Sequence, residues 1–330
     1  MNFLIKSIFF IIYFFTYFTT TLLYAFEIEN RLPKSIWDIE INFKNIPTYN
    51  KAFNGYGEKG PLHELILWHF DWRENVEGEL KREEQKIEIK MTYAFAEKWL
   101  IRGYIPLINK NQISTLKFES GNSNQKKIIN NLKSENFNGL GDISFQISND
   151  MSFGTTWNNR GGLIFKIPTG NTGNRRGTLP NAIGEGHSSI GGFIHFNWFP
   201  LISGLRSGFK IQGTNELIGE KRETLDGIES YYAAGNTADI YYNWSFERKN
   251  LFLGTELHYF QQSESHLPTG ESNDAYLKEI KFELGYGNLS DLENQTLKLP
   301  WQLRFGYVHP ISGQNIPFAK RFEINSNIFF

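Results

Sequence analysis

The sequence predicts an all-β fold, a transmembrane antiparallel β-barrel of about 12 strands. Three observations predict it. Segments with alternating polar and apolar residues recur along the chain, short and long connections alternate between them, and the last alternating segment ends in a phenylalanine. Alternation at every second residue is typical of a β-strand that has one polar and one apolar face.

The first 25 residues form a separate unit. Lys6 precedes an apolar run rich in Phe and Ile, and Leu23, Tyr24 and Ala25 make an acceptable cleavage site. This pattern is typical of a secretory signal peptide. A retained transmembrane anchor is the alternative, because the run is long enough to span a bilayer, but no strongly basic flank follows it. We therefore predict a signal peptide at 1–25 and an outer-membrane β-barrel at 26–330.

Composition excludes several other classes of protein. The chain has no cysteine, so no disulfide framework stabilises it. Charged residues make up 21% of the chain, and no unbroken run of 18 apolar residues follows the predicted signal, which argues against a helical membrane protein. The net charge of −1, without a basic block, gives no reason to expect nucleic acid as a partner.

The twelve predicted strands each have about the length that a tilted membrane strand needs. Single-chain bacterial barrels have an even number of strands, as here. The clearest example is "QKIEIKMTYAF", Gln85–Phe95, where charged residues alternate with Ile, Met, Tyr and Phe. The predicted strands are Ile36–Lys44, Gln85–Phe95, Trp99–Ile108, Gly141–Asn149, Gly161–Ile167, Ser189–Phe199, Leu205–Gly213, Ala238–Phe246, Leu251–Phe260, Glu279–Tyr286, Leu299–Val308 and Lys320–Phe330.

The connections fall into two classes. The shorter ones are Ala96–Lys98, Asp150–Arg160, Pro200–Gly204, Glu247–Asn250 and Gly287–Lys298. The long ones are polar and rich in Gly, Asn and Ser: Asn45–Glu84, Asn109–Leu140, Pro168–Ser188 and Thr214–Thr237. Short periplasmic turns and long external loops are typical of an outer-membrane barrel, whereas a soluble sandwich has no reason to place its long loops at one end.

The cost of charge in lipid decides which face of each strand points inward. A Lys or Arg turned to lipid at mid-depth costs roughly 2–4 kcal/mol, so the charged faces are expected to line the lumen. The predicted lumen-lining residues are Glu40, Glu88, Lys90, Arg102, Asp142, Lys166, His195, Arg206, Lys210, Asp239, Glu256, His258, Lys281, Glu283, Arg304, Arg321 and Glu323. Acidic and basic members are nearly equal in number, which argues against a strongly ion-selective pore. The alternative is that they pair across a narrow interior and leave little aqueous path.

Aromatic residues at strand ends predict one membrane interface. A periplasmic aromatic girdle is expected from Trp37, Trp99, Trp157, Trp198, Trp244, Trp301 and Phe330, because such rings favour the boundary between lipid and water. Outer-membrane lipid and lipopolysaccharide are therefore expected partners. The terminal Phe330 resembles the end of Gram-negative barrels whose last strand serves in assembly, which implies the barrel assembly machinery as a further partner.

A spaced series of motifs carries a family resemblance. The series is "NGLGDISFQ" (Asn138–Gln146), "GGLIFKIPTGN" (Gly161–Asn171) and "EGHSSIGGFIHFNWF" (Glu185–Phe199). It resembles the outer-membrane family named for the meta pathway of phenol degradation, and Glu77–Ile108 is similar to a neighbouring uncharacterised family. The resemblance implies a barrel whose relatives are described as transporters of hydrophobic or aromatic compounds. From the residues alone, glycines 139 and 141 permit a sharp turn, and Pro168 ends a strand.

Three short patterns invite other interpretations. His187, Ser189 and Asn197 have a spacing similar to that of an outer-membrane phospholipase, but Ile190 and Gly191 stand where that family has Asn-Gly; an outer-membrane lipid hydrolase is the alternative function.

The other two patterns are loops. His63, His69 and Asp71 could ligate a metal, although their spacing does not impose convergent geometry. We expect Pro61–Trp72 to fold onto the barrel mouth as a lid. The glycine-rich Gly170–Gly177 lacks the Lys-Ser/Thr ending of a phosphate loop.

The predicted function is an outer-membrane channel or transporter-like barrel for small solutes, hydrophobic or aromatic ones among them. No catalytic residue, metal or cofactor is expected. A non-conducting structural barrel is a second alternative to the channel.

Overall fold

The computed structural model describes residues 34–67, 70–118, 121–153, 156–170, 184, 186–200, 204–217, 221–223, 229–231, 235–248, 250–267, 270–272, 274–288 and 300–330. Several sequence predictions lie wholly or partly outside this range. They include the signal peptide at 1–25, His69, the loop Gly170–Gly177 beyond its first residue, Asn171 of the second motif, Glu185 of the third motif, Leu299 of a predicted strand, and parts of the connections Pro168–Ser188, Thr214–Thr237 and Gly287–Lys298.

Twelve antiparallel strands form one closed barrel, as the sequence predicts. They are β1 (Trp37–Tyr49), β2 (Leu80–Ala96), β3 (Trp99–Ser114), β4 (Glu135–Leu140 with Ile143–Phe153), β5 (Trp157–Ile167), β6 (Ser189–Trp198), β7 (Leu205–Glu216), β8 (Thr237–Arg248), β9 (Leu251–Gln262), β10 (Ala275–Gly287), β11 (Trp301–Gln314) and β12 (Arg321–Phe329). Each strand pairs with its neighbour in the chain.

The first and last strands close the barrel. Residues of β1 pair with those of β12 from Asp38 opposite Phe329 to Asn45 opposite Phe322. The N–H of Trp37 donates to the carbonyl of Phe330, and the N–H of Phe330 donates back to Trp37. Closure leaves no unpaired strand edge, which a chain in lipid needs because the hydrocarbon offers no hydrogen-bond partner.

Several strands are longer than the sequence predicts. The predicted turn Asp150–Arg160 is wrong, since β4 continues to Phe153 and β5 begins at Trp157. Strand β2 begins at Leu80, five residues before the predicted start. In β2 the added residues from Lys81 to Glu84 are all charged, and alternation of hydrophobicity cannot detect a segment whose two faces are both polar.

The barrel is apolar outside and polar inside. On β8 the side chains alternate between exposed and half-buried along all twelve residues, with Ile240, Tyr242, Trp244 and Phe246 exposed. The half-buried positions between them carry Asp239 and other polar side chains. An exterior of this kind is stable only against lipid tails, and it places the chain in the bacterial outer membrane.

Helices occur only in the connections among the described residues. They are α1 (Leu62–Ile66), a 3-10 turn (Arg73–Asn75) and α2 (Ser123–Asn131). The described residues include no helix that is both long enough and apolar enough to cross a membrane.

The connections β1–β2 and β3–β4 pack together into a small globular unit, which we call the outer cap (residues 50–79 and 115–134). Its centre is apolar: Leu62, Leu67 and Leu132 have 0% of their surface exposed. A three-stranded sheet of Lys51–Phe53, Lys59–Pro61 and Ile316–Pro317 joins the cap to the connection between β11 and β12. The predicted folding of the loop Pro61–Trp72 onto neighbouring structure is therefore present in its described residues, and helix α2 contributes Ile128 and Ile129 to one of the two apolar clusters.

Candidate functional site

The barrel encloses a polar cavity of about 410 Å³. Its wall consists of Glu40, Asn42, Lys44, Lys90, His195, Gly208, Lys210, Tyr241, Asn243, Glu256, His258, Lys281, Glu283, Arg304, Arg321, Glu323 and Asn325. Eleven of the seventeen residues that the sequence assigns to the lumen are in this wall. Glu88, Arg102, Lys166, Arg206 and Asp239 are not, although strand alternation turns them to the same inner side, and Asp142 lies at the interruption of β4.

Glycine at position 208 keeps part of this cavity open. Strand β7 brings Gly208 opposite Asn243 of β8 and Asn197 of β6. A Cβ atom there would lie 2.2 Å from Asn243 Oδ1 and 3.1 Å from Asn197 Oδ1. Any side chain at this position would displace the two amides or fill space between them.

On the inner faces of β1 and β2, most charged side chains contact an opposite charge on the same strand or on the neighbouring one. Lys90 Nζ lies 2.6 Å from Glu40 Oε1, which also accepts from the amide of Asn325. Glu88, only 2% exposed, lies 2.9 Å from the ammonium groups of both Lys44 and Lys86. Lys44 is not among the predicted lumen residues, although its position after Glu40 and Asn42 gives it the inward face of β1.

A second network covers the inner face of β9 to β12. Arg321 contacts Glu279 and Glu323 at 2.8 Å each, and Lys281 contacts Glu323 at 2.7 Å. His258 lies 2.9 Å from Asp239 and 3.2 Å from Glu279. Glu279 was absent from the predicted lumen residues because it stood at the assumed start of β10. The inward register of Lys281 and Glu283 already implies that it faces the same way.

The motif pair that carries the family resemblance forms a structural joint. Strand β4 is interrupted at residues 141 and 142. The Thr169 hydroxyl donates to the Gly141 carbonyl at 2.9 Å and accepts from the Ile143 N–H at 3.0 Å. The Gly170 N–H donates to Asp142 Oδ1 at 2.9 Å. The G-L-G-D and P-T-G segments thus supply hydrogen-bond partners to each other where strand β4 is interrupted. This structural contact explains their spacing without a bound solute.

The geometry does not assemble the hydrolase arrangement considered above. His187 and Ser189 are 3% and 5% exposed, so neither faces lipid. The Nε2 atom of His187 lies 2.7 Å from Glu216, which also contacts Lys166 at 3.2 Å. Ser189 lies opposite Lys166 and Glu216 in the sheet. A lipid-cleaving serine would have to reach the bilayer, whereas this one is directed to the interior.

The outer cap borders a second cavity, of about 690 Å³, at the mouth. Its wall carries the carboxylates of Glu58, Glu64, Glu74, Glu264 and Asp274 together with Arg73. The neighbouring His63 is 6% exposed, and burial lowers the pKa of its imidazole. Among the described residues, no three His, Asp or Glu side chains are grouped so that they could hold a metal ion.

The predicted girdle residues all lie on the outer surface. Their exposed fractions run from 39% for Trp301 to 52% for Phe330. Trp157 and Trp198 are opposite each other in the sheet, with ring centroids 6.1 Å apart. Trp37 stacks on Tyr93 at 4.6 Å. Assignment of this ring to the periplasmic interface remains a prediction.

Comparison with known proteins supports the fold. No protein-family model and no curated protein sequence matches the chain. Among solved structures it is similar to an outer-membrane channel from Pseudomonas putida F1, with a TM-score of 0.66 and 11% identity over 92% of this chain and 99% of that one.

Two further solved structures are more distant. They are the NanC porin (TM-score 0.42, 8% identity, 88% and 98% covered) and the translocator domain of autotransporter NalP from Neisseria meningitidis (0.45, 7%, 90% and 88%). At such low identity the first likeness shows the outer-membrane barrel fold alone.

Proposed function

We propose that the protein is an outer-membrane channel through which small water-soluble solutes diffuse. The observation that carries the proposal is the polar cavity of about 410 Å³ inside a closed barrel, lined by ten charged side chains besides two histidines. A wall of this kind hydrates and orients polar solutes, whereas an apolar solute would lose favourable contacts there. The barrel similarity to a Pseudomonas channel is consistent with this function.

The charged wall supports polar solutes better than the hydrophobic or aromatic compounds that the family resemblance implies. A site for apolar compounds is predominantly lined by apolar and aromatic side chains. Here the aromatic contribution to the wall is Tyr241, with the imidazoles of His195 and His258 beside it. We therefore place hydrophobic compounds second among the candidate solutes.

Conductance of the purified protein in planar lipid bilayers tests the proposal. Stable single-channel steps, together with swelling of reconstituted liposomes in small sugars or amino acids, are expected. Gly208→Val should lower the conductance, because the new side chain enters the cavity beside Asn243. Gly103→Val is the matched control, since its Cβ has only one neighbour, 4.0 Å away on Phe145. Equal conductance of the two variants would contradict a route through this cavity.

A non-conducting structural barrel is the second candidate, because most charges inside the barrel are held in ion pairs. Deletion of Pro61–Trp72 distinguishes a channel from a non-conducting structural barrel. If the outer cap is a lid over a channel, its removal should raise solute flux. If neither the native protein nor this variant conducts, the structural function is supported and the channel is rejected.

A further inference from the structure

The inner face of β5, β6 and β7 presents basic groups side by side. His195 of β6 is opposite Arg160 of β5 and opposite Lys210 of β7. Adjacent strands are roughly 5 Å apart, so the three side chains enter the barrel at one level. Arg102 of β3 interacts electrostatically with both His195 and Lys210. The charged groups that act on His195 are all cations: Arg160, Lys210 and Arg102.

Lys210 differs from the other lysines of the cavity wall. Lys44, Lys90 and Lys281 each have a carboxylate oxygen within 2.9 Å. Within the part of the chain that the structure describes, no carboxylate lies within 4 Å of the Lys210 ammonium. Its ammonium lies over two aromatic rings, with the Phe193 centroid at 5.4 Å and the Tyr241 centroid at 5.3 Å.

The two neighbouring arginines, Arg160 and Arg102, have contacts of their own. Arg160 is engaged with Asp150 through two hydrogen bonds. Arg102 donates from Nε to the hydroxyl of Thr92 at 2.8 Å. The wall of the cavity as a whole holds six lysine and arginine side chains but four carboxylates. Among the wall lysines that the structure describes, Lys210 is the one without a carboxylate in direct contact.

Asp239 and Glu256 are the carboxylates that act on Lys210, and Asp239 is the stronger of the two. Neither lies within 4 Å of the Lys210 ammonium among the described residues. Asp239 contacts His258 Nε2 at 2.9 Å. The cation that acts on Glu256 most strongly is Lys281, which also contacts Glu283 and Glu323. Both carboxylates thus interact with the network of β9 to β12.

A lysine that lines a polar cavity and has no carboxylate in direct contact attracts a soluble anion. Its ammonium has three donors, and a hydrogen bond between two charged partners is among the strongest in proteins. The flat surface of Tyr241 stacked on His258, with centroids 4.3 Å apart, adjoins it. We infer that Lys210 and His195 form a binding site for the carboxylate of a small organic acid, whose carbon chain packs against Tyr241. The inference rests on the proposed channel function and names its solute class.

The first experiment measures binding, independently of conduction. Butyrate is titrated into the detergent-solubilised protein and followed by broadening of its NMR signals, with butyramide as the uncharged analogue of equal size. Butyrate should bind and butyramide should not. Lys210→Met should weaken butyrate binding by about tenfold, the expected loss of one charge-assisted hydrogen bond.

Two control variants carry the same change of charge. Lys51→Met alters an exposed residue of the outer cap and should leave butyrate binding unchanged. Lys90→Met removes a wall lysine that Glu40 already neutralises, and its effect should be smaller than that of Lys210→Met. If all three variants bind butyrate equally, or if butyramide binds as well as butyrate, the site is rejected.

The second experiment separates the site from the channel. Reversal potentials are measured across a planar bilayer with a gradient of potassium butyrate. A channel that conducts but shows the same butyrate-to-potassium permeability ratio in native protein and Lys210→Glu would overturn the inference and leave the channel intact. Absence of conductance would reject the channel, and the butyrate titration would then decide the site alone.

Discussion

The barrel wall exposes its apolar side chains, whereas the outer cap buries its own. In the barrel, apolar side chains such as Leu163, 54% exposed, cover the outside, and charged groups such as Glu88 are buried inside. In the cap, the apolar side chains of Leu62, Leu67 and Leu132 are buried and polar groups are outside, as in a soluble protein. Burial in this protein therefore follows the local solvent, lipid or water, and not one hydrophobic centre.

The largest expected effect concerns the cap. Leu132→Ala removes a side chain with 0% exposure from the cluster formed with Leu67 and Ile129, and we expect a local loss of about 2–5 kcal/mol. Limited proteolysis and hydrogen exchange of residues 115–134 measure it. Leu163→Ala is the matched change on the barrel exterior. It should cost only about 1–2 kcal/mol, because lipid fills the space that the side chain leaves. Equal costs at the two sites would contradict the comparison.

The second prediction concerns a charge added to the lipid-facing exterior of the barrel. Leu163→Arg, near the middle of β5, should destabilise the folded barrel by about 2–4 kcal/mol. Urea unfolding in lipid vesicles measures the difference. An arginine at Ile113, an outward position near the end of β3, is the control and should cost about 1 kcal/mol or less, because the cost falls towards the interface. No difference between the two arginines would argue against lipid contact at Leu163.

The smallest effect concerns a helix end in the cap. Asn122 accepts from the Gln125 N–H, and the Gln125 side chain accepts from the Asn122 N–H, each at 2.9 Å. Asn122→Ala should cost about 0.5–2 kcal/mol of local stability. Hydrogen exchange of α2 is the measurement, and unchanged protection would contradict a role of this cap. The barrel, whose strands do not depend on α2, should unfold at the native urea concentration.

A few residues show which strands and helices the sequence predicts and which it does not. The strand pattern around Lys86, Glu88 and Lys90 was sufficient to predict β2 and its inward face, because alternation is a local property of the backbone. The helix α2 was missed, although Asn122 and Gln125 form a capping pattern that could have been recognised. Arg160 and Asp150 were assigned to a turn, although Met151 and Trp157 are exposed on the outer face of the same strands.

The partners of each charge could not be predicted in the same way. The sequence indicated that Lys90 and Lys210 face inward, but only the register of neighbouring strands gives Lys90 a carboxylate and leaves Lys210 between two rings. The contact between Asp142 and Gly170 likewise joins segments 28 residues apart. Such distances are set by strand stagger, which no single segment encodes.

By itself, the sequence determined the strand count, the orientation of each strand's two faces and the sorting of long loops from short turns. It could do so because the period of a β-strand and the cost of charge in lipid act on each segment separately. The packing of the strands and loops in three dimensions sets which charges are neutralised, how large the cavity is and where two distant loops share an apolar core. Those properties depend on side chains from different strands meeting in space, and closure of the barrel brings them together.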